Sequence, residues 1–497
     1  MMMIDSSDIS ELNFRFFSLQ RQMILKKITS TLVFMAQFLF TLLAYNSALS
    51  EEKKDNKPDQ EVLSSIQIEG WANGSNVINF NNPKDHINWG QQIADAAGLS
   101  FNQSVLKIYR DVDEKKEFDV GFKYSGLVGS DADYVQLLGE TEYLINGKVQ
   151  FASPEAYIKL HTPFFTKNGI NFKIGQFLTY NGIESLYAPE NFFYTHSYTS
   201  EFGPWTTTGV LGETKLTDNF DIYAGIITGF NTSIGWPGMN TSSPGIHAGF
   251  NMSLFDGDLV VSGANLSAPQ QGKQLDPYHV GWPNGTVGGV PADCLCDPNN
   301  TWSYASNLML SYFPTDQLTL MTDINYNRSD LAGTVYSNGF TQNSITLISD
   351  AGFDTTAIST QRSVRAQSYG AAVYALYKVN DIVQLGTRTE FWRDDRNNYA
   401  NAPLRPFDIV NSLHNFPNEL IKREFGQGTS YLAITAGAKI TTKIDNVPYL
   451  KDIIFRPQAR WDVSVNGKDP FFNSYEYGGK STQGMLTFDV IIPFKIK

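Results

Sequence analysis

Apolar and polar residues alternate with a period of two along most of this chain. Phe118, Val120, Phe122 and Tyr124 interleave with Asp119, Gly121, Lys123 and Ser125, and Ile170, Phe172 and Ile174 with Asn171, Lys173 and Gly175. Leu318, Leu320, Ile324 and Tyr326 share one face, opposite Thr319, Asp323 and Asn325. Leu432, Ile434, Ala436, Ala438 and Ile440 oppose Tyr431, Thr435, Gly437 and Lys439. Phe455, Ala459, Trp461, Val463 and Val465 oppose Arg456, Gln458, Arg460, Asp462 and Ser464. A last segment sets Leu486, Phe488, Val490, Ile492 and Phe494 against Thr487 and Asp489. Successive side chains of a strand point to opposite faces, so the pattern predicts strands with one apolar and one polar face.

These segments come in pairs joined by short turn-rich links. Phe313-Pro314-Thr315-Asp316-Gln317 joins 303–312 to 318–327, and Val379-Asn380-Asp381 joins 367–378 to 382–392. Phe255-Asp256-Gly257-Asp258 joins 246–254 to 259–267, and Leu216-Thr217-Asp218-Asn219 joins 205–215 to 220–230. Much longer polar connections, 231–245, 268–302, 328–366 and 393–429, separate the hairpins. Short links on one side and long ones on the other imply an all-β, transmembrane antiparallel β-barrel with short periplasmic turns and long external loops; about 16 strands (14–18) are expected. Strands of about ten residues suit a tilted span of the hydrocarbon layer. Tyr312-Phe313, Phe391-Trp392, Tyr449 and Phe494 near strand ends read as interfacial girdles. Residues 66–74 read as an initial strand, and 88–99 as a short helix or a loop turn. A secreted soluble β protein is the competing fold, and no fixed repeat supports a propeller.

The amino terminus reads as an address. Lys26 and Lys27 precede an apolar run from Ile28 to Leu43, followed by Ala48-Leu49-Ser50 and the charged Glu51-Glu52-Lys53-Lys54. This is the layout of a leader and signal peptide over 1–50, with cleavage near 48–51. A polar segment, 51–65, then leads into a barrel over 66–497. Beyond residue 50 there is no apolar run of about 18 residues, so no further helical span is expected. Composition agrees: 42% hydrophobic and 13% aromatic residues exclude wholesale disorder, while 18% charged is low against about 25% in ordinary soluble domains. The net charge of -12 argues against a nucleic-acid partner.

Residues 154–212 carry a more specific text. Ala156-Tyr157-Ile158-Lys159-Leu160 precedes Ile174-Gly175-Gln176-Phe177, then Asn181-Gly182-Ile183-Glu184. Asn191-Phe192-Phe193-Tyr194, His196-Ser197-Tyr198, Gly203-Pro204 and Thr208-Gly209-Val210 follow. This order resembles the OmpL-like β-barrel porin family of bacterial outer membranes. Arg388-Thr389-Glu390-Phe391-Trp392-Arg393-Asp394-Asp395 looks like that family's late-strand pattern. Lys495-Ile496-Lys497, after Phe494, depart from a terminal aromatic. The resemblance implies a pore and leaves its solute open.

In a barrel the polar face points into the lumen, so it doubles as a pore-lining set. Lys159, Lys173, Asp323, Arg388, Glu390, Lys439, Arg456, Arg460 and Asp462 are the pore-lining candidates, with Tyr223, Asn325 and Gln458 beside them. The structural alternative for each Arg is pairing with carboxylates that stiffens the wall. The 180–205 stretch is too long and aromatic for a plain strand. It is a candidate inward constriction loop carrying Glu184, Tyr187, Tyr194, His196, Tyr198 and Glu201, or else a loop packed over the rim. Cys294 and Cys296, in the 268–302 loop, form a candidate disulfide that would stiffen it. No helical zinc spacing, nucleophile elbow or phosphate loop is present, so no catalytic residue, metal or cofactor is expected. The reading is a passive diffusion channel for small hydrophilic solutes or ions, set in outer-membrane lipid and lipopolysaccharide. A homotrimer is a candidate assembly. The rival is a plugged structural or adhesive barrel that binds partners through its long external loops.

Overall fold

A computed structural model describes residues 65–83, 86, 88–94, 97–137, 140–141, 149–233, 243–269, 302–330, 335–336, 360–361, 365–395, 399, 428–444, 447, 449–450, 452–472 and 479–496. The wall begins with β1 (Gln67–Asn79), β2 (Gly98–Arg110), β3 (Asp119–Gly129), β4 (Gln150–Thr162) and β5 (Ile170–Leu178). It continues with β6 (Thr206–Thr217), β7 (Phe220–Ile227), β8 (Gly245–Leu254), β9 (Leu259–Pro269), β10 (Trp302–Tyr312) and β11 (Leu318–Asp330). A two-residue pair, β12 (Val335–Tyr336) and β13 (Thr360–Gln361), lies in the next long connection. The wall resumes with β14 (Arg365–Lys378), β15 (Val383–Asp394), β16 (Thr429–Lys443) and β17 (Asp452–Ser464). A second small pair, β18 (Phe471–Phe472) and β19 (Gly479–Lys480), precedes the last strand, β20 (Thr482–Lys495).

Sixteen of these strands form one closed antiparallel barrel, each paired with its neighbours in the chain. β20 closes onto β1 in the register Glu69 with Lys495 through Asn79 with Met485. Closure leaves no open edge, which is what a lipid-embedded backbone requires, because hydrocarbon offers no hydrogen-bond partners. The hairpins anticipated from turn chemistry are present. In the β14–β15 turn, Asn380 Oδ1 accepts from the backbone N–H of Ile382 and Val383, both at 2.8 Å. That side-chain mimicry of a turn is why Asn is favoured there.

The barrel inverts the polarity of a water-soluble fold. Val120, Ile158, Ile226, Val373 and Ile434 are exposed on the outside, while Asp323, Arg388, Arg456, Arg460 and Asp462 are buried inside. An apolar outer belt with a polar interior is the pattern of a β-barrel solvated by lipid.

Of the two readings of 88–99, residues 88–94 take the turn form, with Trp89, Ile93 and Ala94 buried, and β2 starts at Gly98. One local expectation changes. Trp392 belongs to no girdle. Phe391 faces out and is exposed, so strand alternation turns Trp392 inward, where it is fully buried. The leader, Cys294 and Cys296 lie outside the described residues, as does most of the 328–366 connection.

Ile434 is 51% exposed on the outer face of β16, between Thr389 and Trp461. Ile434→Arg should destabilise the barrel in vesicles by about 2–4 kcal/mol, measured by reversible denaturant unfolding. Ile434→Leu should stay within about 1.5 kcal/mol of the parent.

Candidate functional site

The connection between β5 and β6, residues 179–205, runs inside the barrel. Its two ends are clamped together by Thr179 N–H on the Trp205 carbonyl at 3.0 Å. Asn231 Oδ1 holds the exit by accepting from the N–H groups of Trp205 and Thr206 at 3.0 and 3.1 Å. Between the clamps, Pro189 initiates a 3₁₀ turn at Ala188–Glu190, and Ser197 caps one helical turn at Tyr198–Glu201. The remaining backbone has no regular partner of its own, so it depends on the wall.

Strand register delivers those partners. On the inward face Arg388, Thr435 and Arg460 lie in one row across β15, β16 and β17, and Glu390, Ala433 and Asp462 in the next. Basic and acidic rows therefore sit one side-chain step apart. Arg388 donates to Glu390 at 2.7 Å and to Glu184 of the loop at 2.6 Å. It also donates to the carbonyls of Thr195 and His196, at 2.7 and 3.1 Å. Arg460 bonds Asp462 at 3.0 Å, Glu390 at 2.8 Å and the His196 carbonyl at 3.1 Å. Arg456 pairs with Asp489 of β20 at 2.6 Å. Its other arm donates to the carbonyls of Ala188, Asn191 and Phe193, at 2.8 to 3.1 Å. Lys439 donates to the carbonyls of Pro189 and Asn191.

The loop is held from other sides too. Asp323 of β11 accepts from Asn307 at 2.8 Å and from Thr199 Oγ1 at 3.1 Å. The Tyr187 hydroxyl donates to Glu155 at 2.7 Å and lies 2.8 Å from Ser125 Oγ, and the Tyr194 hydroxyl meets Ser75 and Asn102. The Tyr198 hydroxyl donates to Asp462 at 2.9 Å, while its ring stacks on Trp392 at 5.5 Å with an 8° interplanar angle. Glu201 accepts from the backbone N–H groups of Gln92 and Ile93, so it fastens the first long connection to this one. The His196 ring stands edge-on to Trp205, with Nε2 3.0 Å from the Ser185 carbonyl.

Burial sets the ionisation of the loop groups. It opposes the charge on Glu184, yet Arg388 and the Ser197 N–H outweigh it, and this carboxyl lies below its ordinary range. Glu201 goes the other way: burial dominates its two N–H partners and holds it well above the ordinary carboxylate value. Burial also lowers His196 and raises Tyr187, Tyr194 and Tyr198 well above the usual phenol.

Lys159 and Lys173 sit apart from this lock. Lys173 Nζ is 2.8 Å from Glu213 and bonds the Tyr180 hydroxyl, and Lys159 Nζ lies 4.0 Å from the same carboxylate. The Tyr180 hydroxyl also donates to Glu213, and beyond this contact a gap opens between loop and wall. The loop's contact with β8 is a long hydrogen bond, 3.5 Å from Tyr180 N to His247 Nε2, with Tyr180 packed edge-on against Tyr223. A cavity of about 520 Å³ opens there, bounded by Tyr180, Gly182 and Ile183 of the loop and by Glu213, Tyr223 and Ser262 of the wall.

The expected inward residues thus fall into two groups. Arg388, Glu390, Arg456, Arg460, Asp462, Asp323 and Lys439 hold the loop, and Lys159 and Lys173 stand by the cavity. Every expected Arg has a carboxylate partner. Asp489, Glu213 and Tyr180 were missed as site residues, although Asp489 already stood on the polar side of the last alternating segment.

Arg388→Gln leaves Glu184 and Glu390 facing one fewer charge, and loss of a buried ion partner costs about 3–5 kcal/mol. The expected result is a barrel that still shifts on heating but melts earlier and is cut by protease within 179–205. For Glu201, whose folded value exceeds the free value of 4.5, the released loop ionises first as pH rises. Stability is then lost progressively above about pH 4.5 until the folded value is passed. Glu201→Gln should remove that fall; parallel melting curves of the two proteins across pH 4 to 8, on the order of this window, would count against a buried neutral carboxyl.

No curated protein sequence matches this chain. Solved structures of similar fold include the outer membrane channel DcaP of Acinetobacter baumannii, 10% identical, with a TM-score of 0.44 over 86% of this chain and 96% of that one. An anion-selective porin from Comamonas acidovorans is 10% identical, with a TM-score of 0.45 over 86% and 99%. OprB of Pseudomonas putida is 11% identical, with a TM-score of 0.46 over 88% and 96%. The family described as "Putative beta-barrel porin-2, OmpL-like" matches residues 65–494, which is nearly the whole of the barrel. The chain is a member of this OmpL-like porin family, an outer-membrane channel located in the bacterial outer membrane.

Proposed function

We propose that this channel carries small hydrophilic solutes passively, with residues 179–205 as its constriction. The observation that carries the reading is the loop itself. It crosses the lumen, is bonded to the wall over most of its circuit, and borders a cavity beside β6 to β9. A passive path needs no group that turns over chemically. It needs a hydrated way in, a cross-section set by fixed side chains and binding weak enough for release. The arginine lock supplies the fixed cross-section, and Lys159, Lys173 and Glu213 supply charge of both signs beside the cavity. Barrels of about sixteen strands are wide enough for an aqueous channel when loops do not fill them.

The proposal extends to the chain's setting. Residues 1–50 direct export with cleavage near 48–51, 51–65 forms a polar lead-in, and lipopolysaccharide meets the long-connection rim. Mass spectrometry of the mature amino terminus checks the cleavage, and native mass analysis in detergent checks for the trimer common among such pores.

Residues 51–497 refolded in detergent and added to a planar bilayer should give stepwise, long-lived openings, and a salt gradient gives the charge preference. A barrel that shifts correctly on heating but stays silent over many insertions would overturn the diffusion-channel reading.

A further inference from the structure

The cavity beside Tyr180 reaches toward the short-turn end, where Asn168 and Gly169 of the β4–β5 turn border it. In the other direction each bordering strand rises to an apolar residue on the same inward face. β6 goes from Glu213 to Leu211, β7 from Tyr223 to Ile227, β9 from Ser262 to Leu266, and β5 from Lys173 to Phe177. Phe177, Leu211, Ile227 and Leu266 are each at most 2% exposed and form a single cluster, with Phe230 packed against it. Inward-facing aliphatic side chains are out of place in a polar lumen, where the alternate face is ordinarily hydrophilic. They add nothing to the lipid belt; the arginine lock stands on β15, β17 and β20, with Asp323 of β11 beside it, and Tyr187 and Tyr194 tie the loop to β1–β4.

We infer that solute crosses this barrel off its axis, through the crescent between Tyr180–Ile183 and the wall from β5 to β10, and that the apolar collar of Phe177, Leu211, Ile227 and Leu266 limits its passage. The inference rests on the channel reading and refines it. Elsewhere around the loop, passage would require breaking buried ion pairs and their bonds to loop carbonyls, or the buried hydroxyl and amide bonds by which Tyr187, Tyr194 and Gln103 tie the loop to β1–β4. Through the crescent the bonds in the way are those of Tyr180 to Lys173, Glu213 and His247, and beyond them apolar side chains, Tyr180 packed against them, must part for water to enter. An apolar constriction resists ions because a charge entering it loses hydration with nothing offered in exchange. Small uncharged hydrophilic solutes lose less, so the collar favours them over salt. Below it, Glu213 and the two lysines meet whatever enters from the short-turn side.

Two substitutions of opposite effect test this in bilayers. Leu211→Ser makes the collar polar and should raise unit conductance by about twofold or more. Ser262→Trp fills the cavity below it and should lower unit conductance by a similar factor. Val105→Ser is the control: an equally buried residue of β2 packed against Trp71 on the far side of the lumen, it should leave conductance unchanged. A heat-shift gel shows that each variant has folded. Conductance in the parent that neither Leu211→Ser nor Ser262→Trp alters would place the path elsewhere and overturn the inference, while the channel reading stands. A silent parent with a conducting Leu211→Ser would support the collar as the block. Silence of both folded proteins would sink the channel reading and the collar with it.

Discussion

The unpartnered backbone of residues 179–205 is the problem around which the interior of this barrel is built. A chain crossing the lumen without sheet or long helix leaves carbonyls that must find donors or water. Arg388, Arg456 and Arg460 supply donors to the carbonyls of Ala188, Asn191, Phe193, Thr195 and His196. Guanidinium suits this task, since its planar fork of five donors can bind a carboxylate on one edge and carbonyls on another. Three guanidiniums facing Glu184, Glu390, Asp462 and Asp489 keep the charge nearly balanced, with Lys439 close by. The cost of burying these ions is offset by bonds on nearly all their arms, and the result is a loop held in one place.

Much of this was legible in the alternation of residue types. Period two gave each strand its outer and inner face, so Arg456, Arg460 and Asp462 could be placed inside before any contact was known. The turn chemistry at Asn380 and the Pro314 link located hairpins correctly because those signals are local. Trp392 shows where composition misleads: an aromatic near a strand end suggests a girdle, yet the parity set by Phe391 sends it inward. Ile93, Ala94 and Ala97 near helical spacing left a helix and a loop turn open; residues 88–94 fold as turns, with Glu201 taking the N–H groups of Gln92 and Ile93 from more than a hundred residues away. Such partners are set by closure of the barrel and leave no trace in a local window. Asp489 is the same case, since its meeting with Arg456 depends on the register of β17 with β20.

The alternatives weighed for the arginines, pore-lining charge or paired stiffening, turn out to be one arrangement seen from two sides. Each Arg is paired with carboxylates of the wall, and the same guanidinium reaches the loop. The pairing fixes the direction of the free arm. A lysine at position 388 could hold one carboxylate, but its compact ammonium lacks the fork that spans Glu390, Glu184 and the Thr195 carbonyl together.

The opposite half of the wall uses other means. Tyr223 is as large as Tyr198, yet it lies flat: a Cβ at Gly249 would overlap its hydroxyl, and that hydroxyl reaches the carbonyl of Gly263. Glycine at 249 lets the phenol rest against β8 and β9 instead of projecting across the lumen. Tyr198, on the loop, stands between Arg460 and Trp392 and fills the space it enters. One aromatic is laid aside by glycine and the other is wedged by charge and stacking, so the interior is filled on one side and cleared on the other. A loop bonded equally all round would close the lumen. Bonded densely elsewhere and through Tyr180 alone toward Lys173, Glu213 and His247, it leaves a crescent whose width is set by the residues that hold the loop away from it.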